Sequence, residues 1–189
     1  MKPQCLYLFF CLCIFFPLSS KDLYFRHIDF NEDFTQPSAI SIYQDAQGLI
    51  WFGNDNLNAY DGRVVRSFRL SNYLEEVDDN NIHGICGDGE AFVYMLANKK
   101  VVVFDKQAEE FRLAGIEAQA LEFHDGVLFY AAGNEVFRYV SEGVTEKVCI
   151  LPDPLAVIRD LFWEGEVCWM ATTHGVYRYD GDTFQVMLE

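Results

Sequence analysis

The chain has 189 residues, with 29 acidic against 14 basic side chains and a formal net charge of −15. A surface this acidic repels nucleic acid and anionic lipid, which removes polyanion binders from consideration. Of its six cysteines, the three beyond residue 20 show no metal-ligand spacing, which argues against a dense disulfide scaffold.

In chain order, Lys2 precedes an apolar run from Cys5 to Leu18, and Ser19-Ser20 supplies a small-residue exit. The run is shorter than the roughly 18 residues of a spanning helix, so residues 1–20 read as a secretory signal peptide rather than an anchor. Export then places the mature chain in the periplasm. Loss of Lys2 takes the charge from −15 to −16 and leaves three cysteines, Cys86, Cys149 and Cys168. Widely spaced and odd in number, these are expected to be core thiols with at most one bridge. Residues 21–37 form a leader, with a strand expected over 23–30.

From residue 38 the sequence repeats. Ile40–Gly62 reads ISIYQDAQGLIWFGNDNLNAYDG, and comparable stretches begin at Ile82, Leu121 and Ile158. The first turn glycines, Gly48, Gly89, Gly126 and Gly165, are 41, 37 and 39 residues apart. The aromatics before the second turn, Tyr60, Phe104, Tyr139 and Tyr179, are 44, 35 and 40 apart. Each unit reads as four short strands. In the first these are Ile40–Asp45, Leu49–Phe52, Leu57–Tyr60 and Val64–Leu70. Four strands in about forty residues is the spacing of a β-propeller blade. The expected fold is all-β, an arc of four four-stranded antiparallel blades at about 38–75, 80–115, 118–152 and 157–189. Trp51, Phe92, Phe129 and Trp169 fall on second strands, where large side chains fill the wedge between blades.

The first unit, with Asp45, Gly48, Leu49, Trp51, Phe52, Gly53, Leu57, Asn58, Tyr60, Asp61, Gly62 and Phe68, resembles the two-component regulator propeller repeat. The fourth unit is similar to it through Trp169, Thr172, Gly175, Tyr177, Tyr179, Asp180, Gly181 and Phe184. Asn54 and Asn56 depart from the pattern, in which Thr and Gly are usual. The resemblance implies the periplasmic sensor half of a hybrid two-component regulator that responds to polysaccharide breakdown, with kinase and regulator modules elsewhere. The fourth unit owns its own last strand, so the leader is left as an orphan closing strand. That implies an incomplete larger propeller, whose partners are missing downstream blades, another chain or a second copy.

Signals for catalysis are weak. His27, His83, His124 and His174 are scattered, and no nucleophile elbow or zinc-binding helix word occurs. His124 lies in a turn word and reads as a solvated residue. The acidic loop at 75–81 lacks calcium-loop spacing, and Gly87–Gly89 reads as a turn. The chain is therefore expected to be no enzyme and to need no cofactor or metal. A propeller carries its second-to-third-strand loops and inter-blade loops at one end. On these lie the candidate ligand-binding residues Asn54, Asp55, Tyr73, Asn98, Asn134 and His174, a set of amides, a carboxylate and an aromatic that suits sugar hydroxyls. The alternatives are a free-standing periplasmic interaction protein and, last, a propeller glycosidase or lyase, which needs paired carboxylates.

Overall fold

The computed structural model describes residues 38–77 and 81–188. The expected signal peptide, the leader strand and part of the acidic loop (78–80) lie outside the described residues. Among the described residues sixteen strands run in chain order. The first sheet holds β1 (Ser41–Gln44), β2 (Ile50–Gly53), β3 (Leu57–Tyr60) and β4 (Val65–Phe68). The second holds β5 (Ile82–Gly87), β6 (Phe92–Ala97), β7 (Lys100–Asp105) and β8 (Glu110–Glu117). The third holds β9 (Ala120–His124), β10 (Val127–Ala132), β11 (Glu135–Ser141) and β12 (Val144–Ile150). The fourth holds β13 (Ile158–Glu164), β14 (Val167–Thr172), β15 (Gly175–Tyr179) and β16 (Phe184–Leu188). Each sheet is a four-stranded antiparallel meander in sequence order. Among the described residues, helix is confined to one 3-10 turn, Leu70–Asn72. The propeller expectation holds.

Turn chemistry explains why the chain doubles back where it does. The Asp45 carboxylate accepts bonds from the Gln47 and Leu49 amides, both at 3.0 Å. Asp88 holds the Glu90, Ala91 and Phe92 amides in the same way at 2.8–2.9 Å. Asp61 and Asp180 do so in the outer hairpins of sheets one and four. These Asx turns satisfy amides that no strand partner reaches. At Asn98-Lys99 both central residues take positive φ (46° and 65°), the type I′ geometry that matches strand twist.

The sheets stack in series through three apolar junctions. At each, the inner strand of the later sheet lies across the first two strands of the earlier one: β5 on β1 and β2, β9 on β5 and β6, β13 on β9 and β10. Because side chains alternate, every sheet has one face toward its predecessor and one toward its successor. The first junction packs Trp51, Leu57 and Ala59 against Ile82, Val93, Met95, Val102 and Phe104. The second packs Cys86, Tyr94, Leu96, Val101 and Val103 against Leu121, Leu128 and Tyr130. The third packs Ala120, Ala131, Val136 and Cys149 against Ile158, Leu161, Cys168, Met170 and Tyr177. The first junction is tight enough to require glycine twice. A Cβ on Gly53 would lie 2.6 Å from Ile82 Cγ2, and one on Gly87 would lie 2.7 Å from the Tyr43 ring. All three described cysteines are free and buried, as core thiols should be.

Candidate ligand-binding face

The second-to-third-strand hairpins and the inter-sheet linkers meet at one end of the sheets and are hydrogen-bonded together there. The Asn54 carbonyl accepts from the Ile82 amide at 2.8 Å, and the Lys99 carbonyl from the Ala118 amide at 2.7 Å. The carbonyls of Gly133 and Asn134 accept from Ile158 and Leu151 at 2.9 Å each, and the Val157 carbonyl from the Thr173 amide at 3.0 Å. Gln119 Oε1 accepts from the Gly133 amide at 2.6 Å. Most backbone groups of this face are thereby tied down, leaving side chains as its variable part.

The six candidate residues are spread over loops of four successive sheets. Asn54 is buried, and its Oδ1 accepts from the Asn56 amide at 3.0 Å and from Asn58 Nδ2 at 3.1 Å. Asn58 in turn accepts a short bond from the Ser67 hydroxyl. The asparagine that departs from the repeat pattern thus braces the first hairpin from inside. Asp55 is half-buried beside it. Tyr73 is half exposed, and its ring lies 4.7 Å from that of Phe111, which packs on Phe104 at 4.6 Å. Asn98 is exposed at its I′ turn. Asn134 is half-buried and donates to the Leu151 carbonyl at 3.4 Å. His174 is exposed, with Nδ1 2.6 Å from Asp153 Oδ2. That hydrogen bond, seconded by the Leu155 amide, holds the Asp153 carboxyl below the usual carboxylate range.

The His174–Asp153 pair was invisible in the sequence, because its members sit on a linker and a hairpin 21 residues apart. Orientation by a carboxylate at Nδ1 fixes the imidazole and directs Nε2 away from Asp153. With the Asn98 amide, this end offers polar groups of both kinds, which can bind hydroxyls, whereas the Tyr73 ring lies on Phe111 at the start of β8, away from the Asn98 hairpin. Among the described residues, no group of three or more His, Cys, Asp or Glu side chains could hold a metal ion.

At the opposite end, a second constellation joins sheets one and two. The Asp45 side chain is fully buried and the Lys106 side chain 11% exposed, and their charged atoms lie 3.0 Å apart. The same Asp45 oxygen accepts from the Trp51 indole N–H at 3.0 Å. Burial pushes the Asp45 carboxyl up, but the bonds from Trp51, Lys106 and Leu49 outweigh it and leave it below its ordinary value. Lys106 also donates to the Gly89 carbonyl at 3.3 Å. This is an inter-sheet clamp, and Lys106 carried no signal in the sequence.

His124 corrects its reading as a solvated turn residue. Its ring stacks on Trp163 of the next sheet at 5.9 Å, and Nε2 lies 2.9 Å from the Gly165 carbonyl. The turn word is right, since Asp125 and Gly126 take φ of 46° and 78°. The histidine closes the third junction. Nearby, burial pushes the half-buried Glu122 carboxyl up, Asp160 adds to this, and His124 partly offsets it.

Comparison with known proteins agrees with this architecture. Residues 33–56 match the family described as two component regulator propeller. No curated protein sequence matches the chain. Two solved structures show the extracellular domain of one B. thetaiotaomicron protein, described as a candidate one component system and as a candidate hybrid two component system. They superpose with TM-scores of 0.66 and 0.58 at 15% and 18% identity, over 85% and 77% of this chain. PorZ of Porphyromonas gingivalis, an essential surface component of the type-IX secretion system, gives 0.61 at 16% identity over 80% of this chain. This chain spans 24%, 20% and 22% of those three chains, about a quarter of their length or less. At such identities the likeness establishes the shared fold. Among the described residues no helix is long and apolar enough to cross a membrane. A two component regulator propeller repeat matches residues 33–56, and the resemblance read from the first unit around Trp51 holds.

Proposed function

We propose that the chain is an exported, ligand-sensing propeller portion of a two-component regulator, and that it binds a polysaccharide-derived oligosaccharide without turning it over. The observation that carries this reading is the regulator-propeller repeat at residues 33–56. The loop end supplies the matching chemistry. His174 oriented by Asp153 and the exposed Asn98 amide can hydrogen-bond a sugar, and the half-exposed Tyr73 ring on the linker to sheet two can stack on one. Binding there would alter how the linkers brace neighbouring hairpins, and kinase and regulator modules elsewhere in a longer protein would receive that change. Calorimetry of the full chain against defined xylo-, manno- and malto-oligosaccharide pools tests it. Saturable binding weakened by His174→Ala and Tyr73→Ala, with no new reducing ends, is the expected result. Release of reducing ends would make the chain a glycosidase or lyase, and binding indifferent to both substitutions would move the site elsewhere.

A second reading, a free-standing periplasmic interaction protein, is favoured by one observation. Large apolar side chains remain exposed on the outward faces of the first and fourth sheets.

A further inference from the structure

Four Asp-Gly pairs stand at hairpin turns: Asp61-Gly62, Asp88-Gly89, Asp125-Gly126 and Asp180-Gly181. In each the glycine takes positive φ, between 78° and 97°. Three of the four carboxylates are occupied. Asp61 accepts from the Arg63 and Val64 amides at 2.8 and 2.7 Å. Asp88 accepts from the Glu90, Ala91 and Phe92 amides at 2.8–2.9 Å. Asp180 accepts from the Thr183 amide at 2.9 Å and the Thr183 hydroxyl at 3.2 Å. These amides hold Asp61 and Asp180 below the usual carboxylate range.

Asp125 is the exception. Its side chain is 87% exposed, and among the described residues its carboxylate has one partner, His124 Nε2 at 3.4 Å. That nitrogen lies closer to the Gly165 carbonyl, at 2.9 Å. Loop length explains the difference. The other three pairs open four-residue loops, 61–64, 88–91 and 180–183, in which the leading carboxylate caps the amides that follow. The β9–β10 loop is only Asp125 and Gly126, since His124 already pairs with Val127. Asp125 itself takes φ of 46° there, and the loop holds no later amide for it to cap.

We propose that Asp125-Gly126 is a site of spontaneous main-chain modification, where aspartate passes through a cyclic imide to isoaspartate. The Gly126 amide nitrogen attacks Cγ of the protonated Asp125 carboxyl. A C–N bond forms, and one water leaves, made of the carboxyl hydroxyl and the amide proton. Water then reopens the ring. Cleavage at the main-chain carbonyl leaves the chain running through Cγ with a free α-carboxylate, and cleavage at Cγ restores aspartate. One water is lost and one regained, so no oxidant or cofactor takes part. Glycine leaves the attacking nitrogen unhindered, and a Cβ on Gly126 would meet no atom within 4 Å. At the other three sites the carboxyl must first release its amides, which slows attack about tenfold.

Isoaspartate adds one carbon to the main chain inside a two-residue loop whose twist matches its strands. The residue before it is His124, which stacks on Trp163 and reaches Gly165 across the third junction. Lengthening the tip draws that ring out of place, so conversion loosens the contact between sheets three and four. This inference rests on the fold and is independent of the sensor reading.

Peptide mapping of the full chain tests it, with electron-transfer fragmentation to tell isoaspartate from aspartate. Incubation at about pH 5, near the unperturbed carboxylate value, keeps part of each carboxyl protonated. In the folded chain Asp125 should convert about tenfold faster than Asp61, Asp88 or Asp180. In guanidinium the four should convert at similar rates, because the turn bonds are gone. The converted fraction should also melt below the unconverted chain. Equal rates at the four folded sites would overturn the inference. A lead for Asp125 that survives guanidinium would overturn it too, by tracing the effect to neighbouring sequence. A converted fraction that melts with its parent would overturn the loosening of the third junction.

Discussion

The first and third junctions solve one packing problem with different chemistry. Between sheets one and two, a buried carboxylate binds an indole N–H, an ammonium and two turn amides. Between sheets three and four, Phe129, His124 and Trp163 stack, and buried aliphatics such as Ile158, Leu161 and Met170 with the thiols of Cys149 and Cys168 fill the rest. The first is held by directional groups that become costly when one partner is lost, the second by contact area that tolerates small errors of registry. A junction of the first kind fixes the angle between sheets, whereas one of the second kind lets it relax.

The sharpest way to break this contrast is Trp51→Ala. It opens a cavity in the first junction and also strands Asp45, so a loss of about 4 kcal/mol is expected, read as a lower urea midpoint. Asp45→Ala should cost about 3 kcal/mol, since Lys106 would be left nearly buried and unpaired. Lys106→Met on that background should recover part of it. Leu161→Ala in the third junction should cost about 2–3 kcal/mol through its cavity alone, with no rescue by any polar substitution. If Asp45→Ala proves milder than Leu161→Ala, the clamp is no more than surface decoration.

Acid should separate the two junctions by sign. Asp45 has a folded value below its unfolded one, so its contribution is complete above the unfolded carboxylate value of about 4 and is lost as pH falls through the folded value. The melting-temperature deficit of Asp45→Asn should therefore be constant from about pH 7 to 5 and shrink below about 4. Glu122 is raised by burial, so its charge destabilises the fold at neutral pH and that penalty disappears as the group protonates. Glu122→Gln should raise the melting temperature at pH 7, with the gain fading on acidification. The smallest effect belongs to His174→Ala, whose ion pair with Asp153 is exposed; the melting temperature should not move while oligosaccharide binding falls.

Much of this was legible from turn residues. Glycine and aspartate at the hairpins set the repeat period, because those positions need positive φ or a side chain that caps amides. Which face a ring takes was less legible. Trp51 lies three residues after Gly48, but three residues after Gly165 is Cys168, and Trp169 is one step on. A one-residue slip reverses a strand's face, so counting from the glycine puts the thiol where the indole belongs. The Asp45–Lys106 clamp spans 61 positions and joins two repeats, and no pattern within a repeat can reveal a bond between repeats. The loop-end residues were placed by topology alone. The bracing role of Asn54 emerged only with the side-chain contacts, since asparagine in a turn word suits exposure and burial equally.

The placement of the thiols has a kinetic consequence. Cys86 sits in the second junction, Cys149 and Cys168 in the third, and the first has none. Burial pushes the Cys149 and Cys168 thiols up to about 12, and Cys86 higher still. A thiol of that kind is unreactive until its surroundings part, so an alkylating reagent at low concentration counts opening events rather than surface collisions. The chain thereby carries built-in clocks on two of its seams. If Cys149 and Cys168 react together and ahead of Cys86, the fourth sheet swings free as a unit before the remainder loosens. Reaction of Cys86 first would mean that the stack divides in the middle, two sheets to a side.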